Sequence, residues 1–194
     1  MCQTPIPIDT QSHSLTVISG PTAVGKGTVV RELIKRHPQV YLSISGTTRS
    51  PRPGEEDGVH YHFLSDEEFS QRIQAGDFLE WARVHGQHRY GTLVQPIREV
   101  LAAGRPALLE IDLDGARQVK KTMPEAQFIF LAPPSWDELV NRLEGRGTES
   151  ADEMTRRLAT AREELAAQEE FDVVIVNDEV NRTVEELASV MHLT

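Results

Sequence analysis

Apolar residues along this chain fall into two patterns that take turns. Continuous runs, LTVIS (15–19), PALLEID (106–112), AQFIFLAPP (126–134) and FDVVIVND (171–178), suit strands covered on both faces, where no polar alternation is needed. Helical spacing appears in VVRELIKR (29–36), in Pro96 to Ala103 before Gly104, in LDGARQVKKTM (113–123) and in VNRTVEELASVM (180–191). His37-Pro38 closes the first of these, because the residue before a proline is pushed out of the α region. The alternation predicts an α/β fold, a mostly parallel sheet flanked by helices. Two stretches break the pattern. Ser43 to Thr92 is polar, rich in turn formers (SPRPGEEDG), and carries the strand-like pieces YHF, FLEWARV and RYGT around a DEEFSQRIQAG helix, so it reads as an insertion built separately. Trp136 to Gln168 is charged and helical, with Gly145 and Gly147 in an RLEGRGT turn where a mobile lid could bend.

Composition narrows the partners. With 194 residues and 39% hydrophobic content the chain can bury one good core, and no stretch is long enough to cross a membrane. A formal net charge of -10 opposes polyanion binding, so long nucleic acid is not expected as a partner. Cys2 is the only cysteine and cannot form an internal disulfide; with no leader-like apolar start, a reducing cytoplasmic setting is the expectation. The seven histidines form no metal set: His60 and His62 alternate as strand neighbours do, and His85 and His88 sit in a loop.

Candidate chemistry begins at the first strand. It breaks into GPTAVGKGT, where Gly20, Gly25 and Gly27 let backbone N–H groups turn inward around an anion, Lys26 reaches terminal phosphates, and the next helix points its N-terminus at the same place. Strand, loop and helix form one phosphate cradle. In the plain P-loop a Ser or Thr follows the lysine and ligates magnesium; here Gly27 takes that place and Thr28 comes one later. In the insertion, Arg49 and Arg52 lie close together beside Ser45, Thr47 and Thr48, which suits either a second anion site or a solvated turn. Glu110 and Asp112, two apart at a strand end, face one side and could organise waters around magnesium.

Taken in order, GPTAVGKGT, SGTTRSPRPGEEDGVHY, FLEWARV, RYGT, EIDLDGARQV, FLAPPS, RLEGRGTE and IVND resemble the motif series of guanylate kinases, from about Leu15 to the end. The resemblance implies a P-loop core (15–44, 93–135 and 169–194) behind a tail (1–14), a GMP-binding subdomain (45–92) and a lid (136–168). It implies transfer of the γ-phosphoryl group of ATP to GMP, with Mg2+ accompanying ATP. Gly20, Pro21, Thr22, Ala23, Val24, Gly25, Lys26, Gly27 and Thr28 would then hold ATP, with Arg142 a weaker candidate and Asn177 at the adenine edge, where a simple turn is the alternative. Arg49, Arg52, Tyr61 and Tyr90 would grip the GMP phosphate. Ser45, Glu80, Gly91, Thr92 and Asp112 would meet or frame the guanine, whose paired donors suit a carboxylate and a hydroxyl. Lys26, Arg49, Arg146 and Arg157 would carry catalysis, and Thr28 or Asp112 would meet the metal, directly or through water. Two other readings remain open at this point: a catalytically inactive guanylate-kinase-like binding module, and another nucleoside monophosphate kinase. Use of deoxyguanylate is left open too.

Overall fold

A computed structural model describes residues 15–84, 87–144 and 151–193. Five strands form an all-parallel sheet in the order β2-β7-β1-β8-β9: β1 (Leu15–Ser19), β2 (Tyr41–Leu42), β7 (Ala107–Glu110), β8 (Gln127–Ala132) and β9 (Val173–Val176). The predicted apolar runs supply four of them. Because β1 sits in the middle, its residues alternate between two cores. Leu15 and Val17 pack with Ile97, Val119 and Phe128 on one face, and Ile18 packs with Val29, Leu33 and Leu187 on the other. Helices cover both faces: α1 (Lys26–Arg36) and α7 (Val180–Val190) on the Ile18 side, α3 (Val94–Ala102) and α4 (Leu113–Thr122) on the Val17 side.

Two details differ from the sequence expectation. Helix α3 begins at Val94, two residues before Pro96, and this is tolerated because first-turn N–H groups have no partner within the helix anyway. Strand β2 was not expected, since Tyr41 and Leu42 are too short an apolar pair to register; they extend the sheet edge by pairing with Ala107 and Leu108.

Residues between β2 and α3 build a second sheet, in the order β4-β3-β6-β5, from β3 (Ser45–Thr47), β4 (His62–Phe63), β5 (Phe78–Val84) and β6 (His88–Leu93). Helix α2 (Asp66–Ala75) lies against it, opened by a Ser65/Glu68 capping box and closed at Gly76, whose φ of 74° suits glycine. Arg89 fastens the two. Its guanidinium lies 4.8 Å from the Phe69 ring and donates to Asp66 Oδ1 (2.7 Å) and Ser70 Oγ (2.9 Å). After β8 the chain forms α5 (Trp136–Glu144) and α6 (Ala151–Ala166), joined by Arg162 stacked 4.9 Å from the Trp136 ring. The predicted glycine turn and Arg146 lie outside the described residues.

Candidate active site

The loop between β1 and α1 is shaped by positive φ angles at Gly20 (148°), Ala23 (66°) and Gly25 (100°). Glycine is demanded twice over. A Cβ at position 20 would run into the Leu131 carbonyl, and one at position 25 would lie 2.6 Å from Asn177 Nδ2. The lysine that opens α1 folds back, its ammonium donating to the Gly20 and Pro21 carbonyls. A cleft of about 290 Å³ opens here between Ala23, Lys26, Thr28, Arg31 and Glu110.

Two residues expected to meet ATP brace this loop from beneath. Asn177, 4% exposed, donates its amide to the Val24 carbonyl (2.7 Å) and accepts from the Thr183 hydroxyl (3.0 Å). Arg142 donates to the same Val24 carbonyl and to that of Asn177 (3.2 Å each). A third brace was not foreseen: Glu164, on α6, accepts the Thr22 N–H at 3.2 Å. Burial pushes its carboxyl up, and Lys26 opposes the rise.

Gly27 faces Glu110, whose Oε1 lies 3.5 Å from where a Cβ on residue 27 would stand. A carboxylate therefore borders the space in which the plain loop would present a hydroxyl. Burial raises the Glu110 carboxyl, while Lys26 and Arg31 pull it down. Among the described residues no three His, Cys, Asp or Glu side chains gather to hold a metal unaided. A Mg2+ carried on nucleotide phosphates needs only one or two carboxylates for its shell; Glu110 lines the cleft beside Gly27, while Asp112, two residues on, caps α4. Thr28 is exposed at the first turn of α1.

The second sheet carries the other half of the site. Register places Ser45, Thr92 and Glu80 side by side on β3, β6 and β5, and Tyr90 two residues from Thr92 faces the same way. Glu80 is 8% exposed and accepts the Thr92 hydroxyl proton at 2.7 Å. Its carboxyl is raised by burial and further by the charge of Asp112. Asp112 comes from the core: it caps α4 by accepting the Gly115 N–H at 2.8 Å. A Cβ on Gly115 would stand 3.2 Å from both Asp112 Oδ1 and Glu80 Oε2, so the two carboxylates converge on one glycine. Gly91 points the other way, toward Phe78 and Trp81, and can offer only its backbone.

At the far end of that row, Arg49 lies 5.3 Å from the Tyr61 ring, and Tyr61 and Tyr90 meet edge to face at 5.9 Å. Glu55 grips the guanidinium through both oxygens (2.8 and 2.9 Å), which lifts Arg49 above its ordinary range and holds the Glu55 carboxyl down at about 2. Glu55 also accepts the Arg52 N–H at 2.7 Å, while the Arg52 side chain stays exposed. Arg49, Tyr61 and Tyr90 are thus brought together. Glu55 was missed; the GEEDG stretch after two arginines was its only trace in the sequence.

The arrangement is two polar seats: a phosphate cradle with a lysine, and a sheet face ending in an arginine–tyrosine cluster. Comparison with known proteins identifies the family. The guanylate kinase family model matches residues 12–194. Guanylate kinase of Thermobifida fusca is 57% identical over 181 residues, covering 93% of this chain and 92% of that one. Guanylate kinase of Streptomyces coelicolor is 56% identical over 189 residues, covering 97% and 95%. A crystal structure of guanylate kinase from Anaplasma phagocytophilum superposes with a TM-score of 0.70 at 30% identity, covering 94% of this chain and 85% of that chain. With both seats in place and the match running through nearly its whole length, the chain belongs to the guanylate kinase family.

Proposed function

We propose that this protein phosphorylates GMP at the expense of ATP, giving GDP and ADP, and that it does so in the cytoplasm as part of purine nucleotide metabolism. An oxygen of the GMP phosphate attacks the γ-phosphorus, a new P–O bond forms, and the bond to the bridging oxygen of ADP breaks. The observation that carries the reading is the buried pairing of Glu80 with Thr92 on the sheet face that ends at Arg49. Guanine presents adjacent N1–H and N2–H donors, and an ionised Glu80 accepts both; adenine would set its N1 acceptor against the carboxylate. Because the Thr92 hydroxyl hydrogen is directed to Glu80, its oxygen faces the base as an acceptor, while Ser45 and Asp112 frame the base edge.

The GMP phosphate sits against Arg49, Tyr61 and Tyr90, with Arg52 reaching it from the adjoining turn. Glu55, paired with both terminal nitrogens of Arg49, holds the guanidinium in place before substrate arrives. On the other side the Gly20–Thr28 loop cradles the ATP phosphates, Lys26 lies beside the terminal groups, and Asn177 and Arg142 hold the loop in shape through the Val24 carbonyl. Arg157 on α6, with Arg146, completes the cationic set when the 136–168 segment closes, and closure excludes water that would otherwise take the phosphoryl group. Mg2+ bound with ATP would screen charge between phosphate oxygens, with Glu110, Asp112 and Thr28 as the residues next to its shell. No protein nucleophile takes part.

The test is ADP formation by the purified protein with ATP and Mg2+, offering GMP, dGMP, AMP, UMP and CMP in turn. Turnover with the guanine nucleotides alone is expected. Turnover with another base, or binding without turnover, would refute the assignment in favour of a sibling kinase or a non-catalytic binding module respectively.

A further inference from the structure

Glu164 has no part in the phosphoryl transfer described above beyond bracing the loop at Thr22, and its surroundings are unusual. It is a carboxylate 9% exposed, on a helix whose inward stripe is otherwise apolar: Ala161 is fully buried, and Met154, Leu158 and Leu165 pack against the core beside it. A buried charge is unfavourable unless something answers it. Here the answers are the Thr22 N–H, 142 residues away in sequence, and the nearby Lys26 ammonium. Both belong to the phosphate loop.

The helix period supplies the second half of the argument. Residues 157, 161 and 164 are spaced i, i+4, i+7 and share one face of α6, with Arg157 about 10 Å from Glu164 along the axis. The helix side holding Arg162 is fixed to α5 through Trp136, so the Thr22–Glu164 bond settles how α6 sits toward the loop. We infer that Glu164 is a positioning residue for phosphoryl transfer: by binding the Thr22 N–H it pins α6 to the phosphate loop and so places Arg157 over the transferring group. This rests on Arg157 acting in the reaction, as proposed above. Arginine contacts to a transferring phosphoryl group depend steeply on placement, a displacement of about 1 Å being worth up to about a hundredfold in rate.

The experiment is a double-substitution cycle on the full chain, read as kcat and as KM for GMP and ATP. Glu164→Ala is expected to lower kcat about tenfold or more, with the KM for GMP within about twofold of the parent. Glu164→Gln, whose side-chain oxygen still accepts the Thr22 N–H, is expected to restore most of kcat. Glu164→Met keeps the volume and loses the acceptor, so it serves if the alanine variant does not fold and is expected to match the loss. In an Arg157→Ala background the Glu164→Ala loss should shrink to the part that comes from the loop brace alone, well below the loss in the parent. Additive losses would overturn the inference, as would full kcat in the methionine variant. Arg157→Ala with parental kcat would instead sink the reading of Arg157 itself, and the two failures are told apart by that single variant.

Discussion

Glu80→Gln tests the base-reading half of the site most directly. In the parent, the carboxylate accepts the Thr92 hydroxyl at one oxygen and has its second near Gly115, leaving acceptor capacity for two guanine donors. The amide keeps one oxygen and replaces the other by an N–H₂. One charge-assisted hydrogen bond, about 1.5–3 kcal/mol, is lost, and a guanine donor then faces another donor in a pocket where Glu80 is already 8% exposed. A total of about 2–4 kcal/mol corresponds to a fall of about 30- to 900-fold in kcat/KM for GMP. ATP binds at the other seat, so its dissociation constant, measured by calorimetry without GMP, should stay within about twofold of the parent's. A loss in ATP affinity equal to the loss in GMP use would refute the reasoning, as would a GMP kcat/KM within threefold of the parent.

The same substitution has a signature in stability. Burial raises the Glu80 carboxyl above its unfolded value, so its favourable share of stability is present below the ordinary carboxylate range and is lost as pH rises through the folded pKa. Glutamine does not titrate. Without ligand, the thermal midpoint of Glu80→Gln should therefore gain on the parent as pH is raised from about 4 toward neutrality, the opposite of its effect on GMP use. A gap that stays flat over that interval would show that the buried carboxyl is not perturbed.

Lys26→Ala should abolish nearly all turnover while circular dichroism and the thermal transition remain native, since the ammonium caps loop carbonyls but fills no core; parental turnover would refute the phosphate-loop role. Glu55 carries the opposite pH sign to Glu80: held down at about 2, its contribution is present above the ordinary carboxylate range near 4.3 and is lost as pH falls toward 2. Glu55→Gln should accordingly lower the melting temperature at pH 7 and converge with the parent only as pH falls to about 2, and an unchanged gap would count against the Arg49 pairing. Asn177→Ala removes the buried amide from the Val24 carbonyl, leaving that carbonyl to Arg142 alone; loss of about 1–3 kcal/mol of loop order should raise the KM for ATP about 5- to 150-fold while leaving that for GMP nearly unchanged. Equal KM changes for both nucleotides would contradict a brace confined to the ATP side.

The parts legible in the sequence were those whose meaning is local. Four apolar runs read as doubly covered strands because each is continuous, and the phosphate loop could be read because glycines and a lysine within one turn already state the chemistry. What stayed hidden is the work of partners far apart along the chain. Arg89 looked like part of a strand motif, yet it fastens α2 to the second sheet, because Asp66 and Ser70 reach it from about twenty residues earlier. Asn177 read as an adenine-edge residue or a turn, and its amide meets a carbonyl 153 positions away. Glu164 sat in a charged helical stretch indistinguishable from a solvated face until Thr22, 142 positions back, was folded against it.

Such residues share a physical type: each satisfies a backbone or guanidinium group that folding would otherwise bury unpaired, so its value exists only once the chain is assembled. That also explains where they gather. A phosphate loop must keep several N–H groups turned toward an anion, which leaves carbonyls such as that of Val24 facing inward and N–H groups such as that of Thr22 at the margin. Asn177, Arg142 and Glu164 answer those groups from three separate elements, so the shape of the loop is set by the surrounding fold as much as by its own glycines. The three braces should therefore respond to substitution as a set, with couplings among them larger than the coupling of any one to Glu80 in the base pocket.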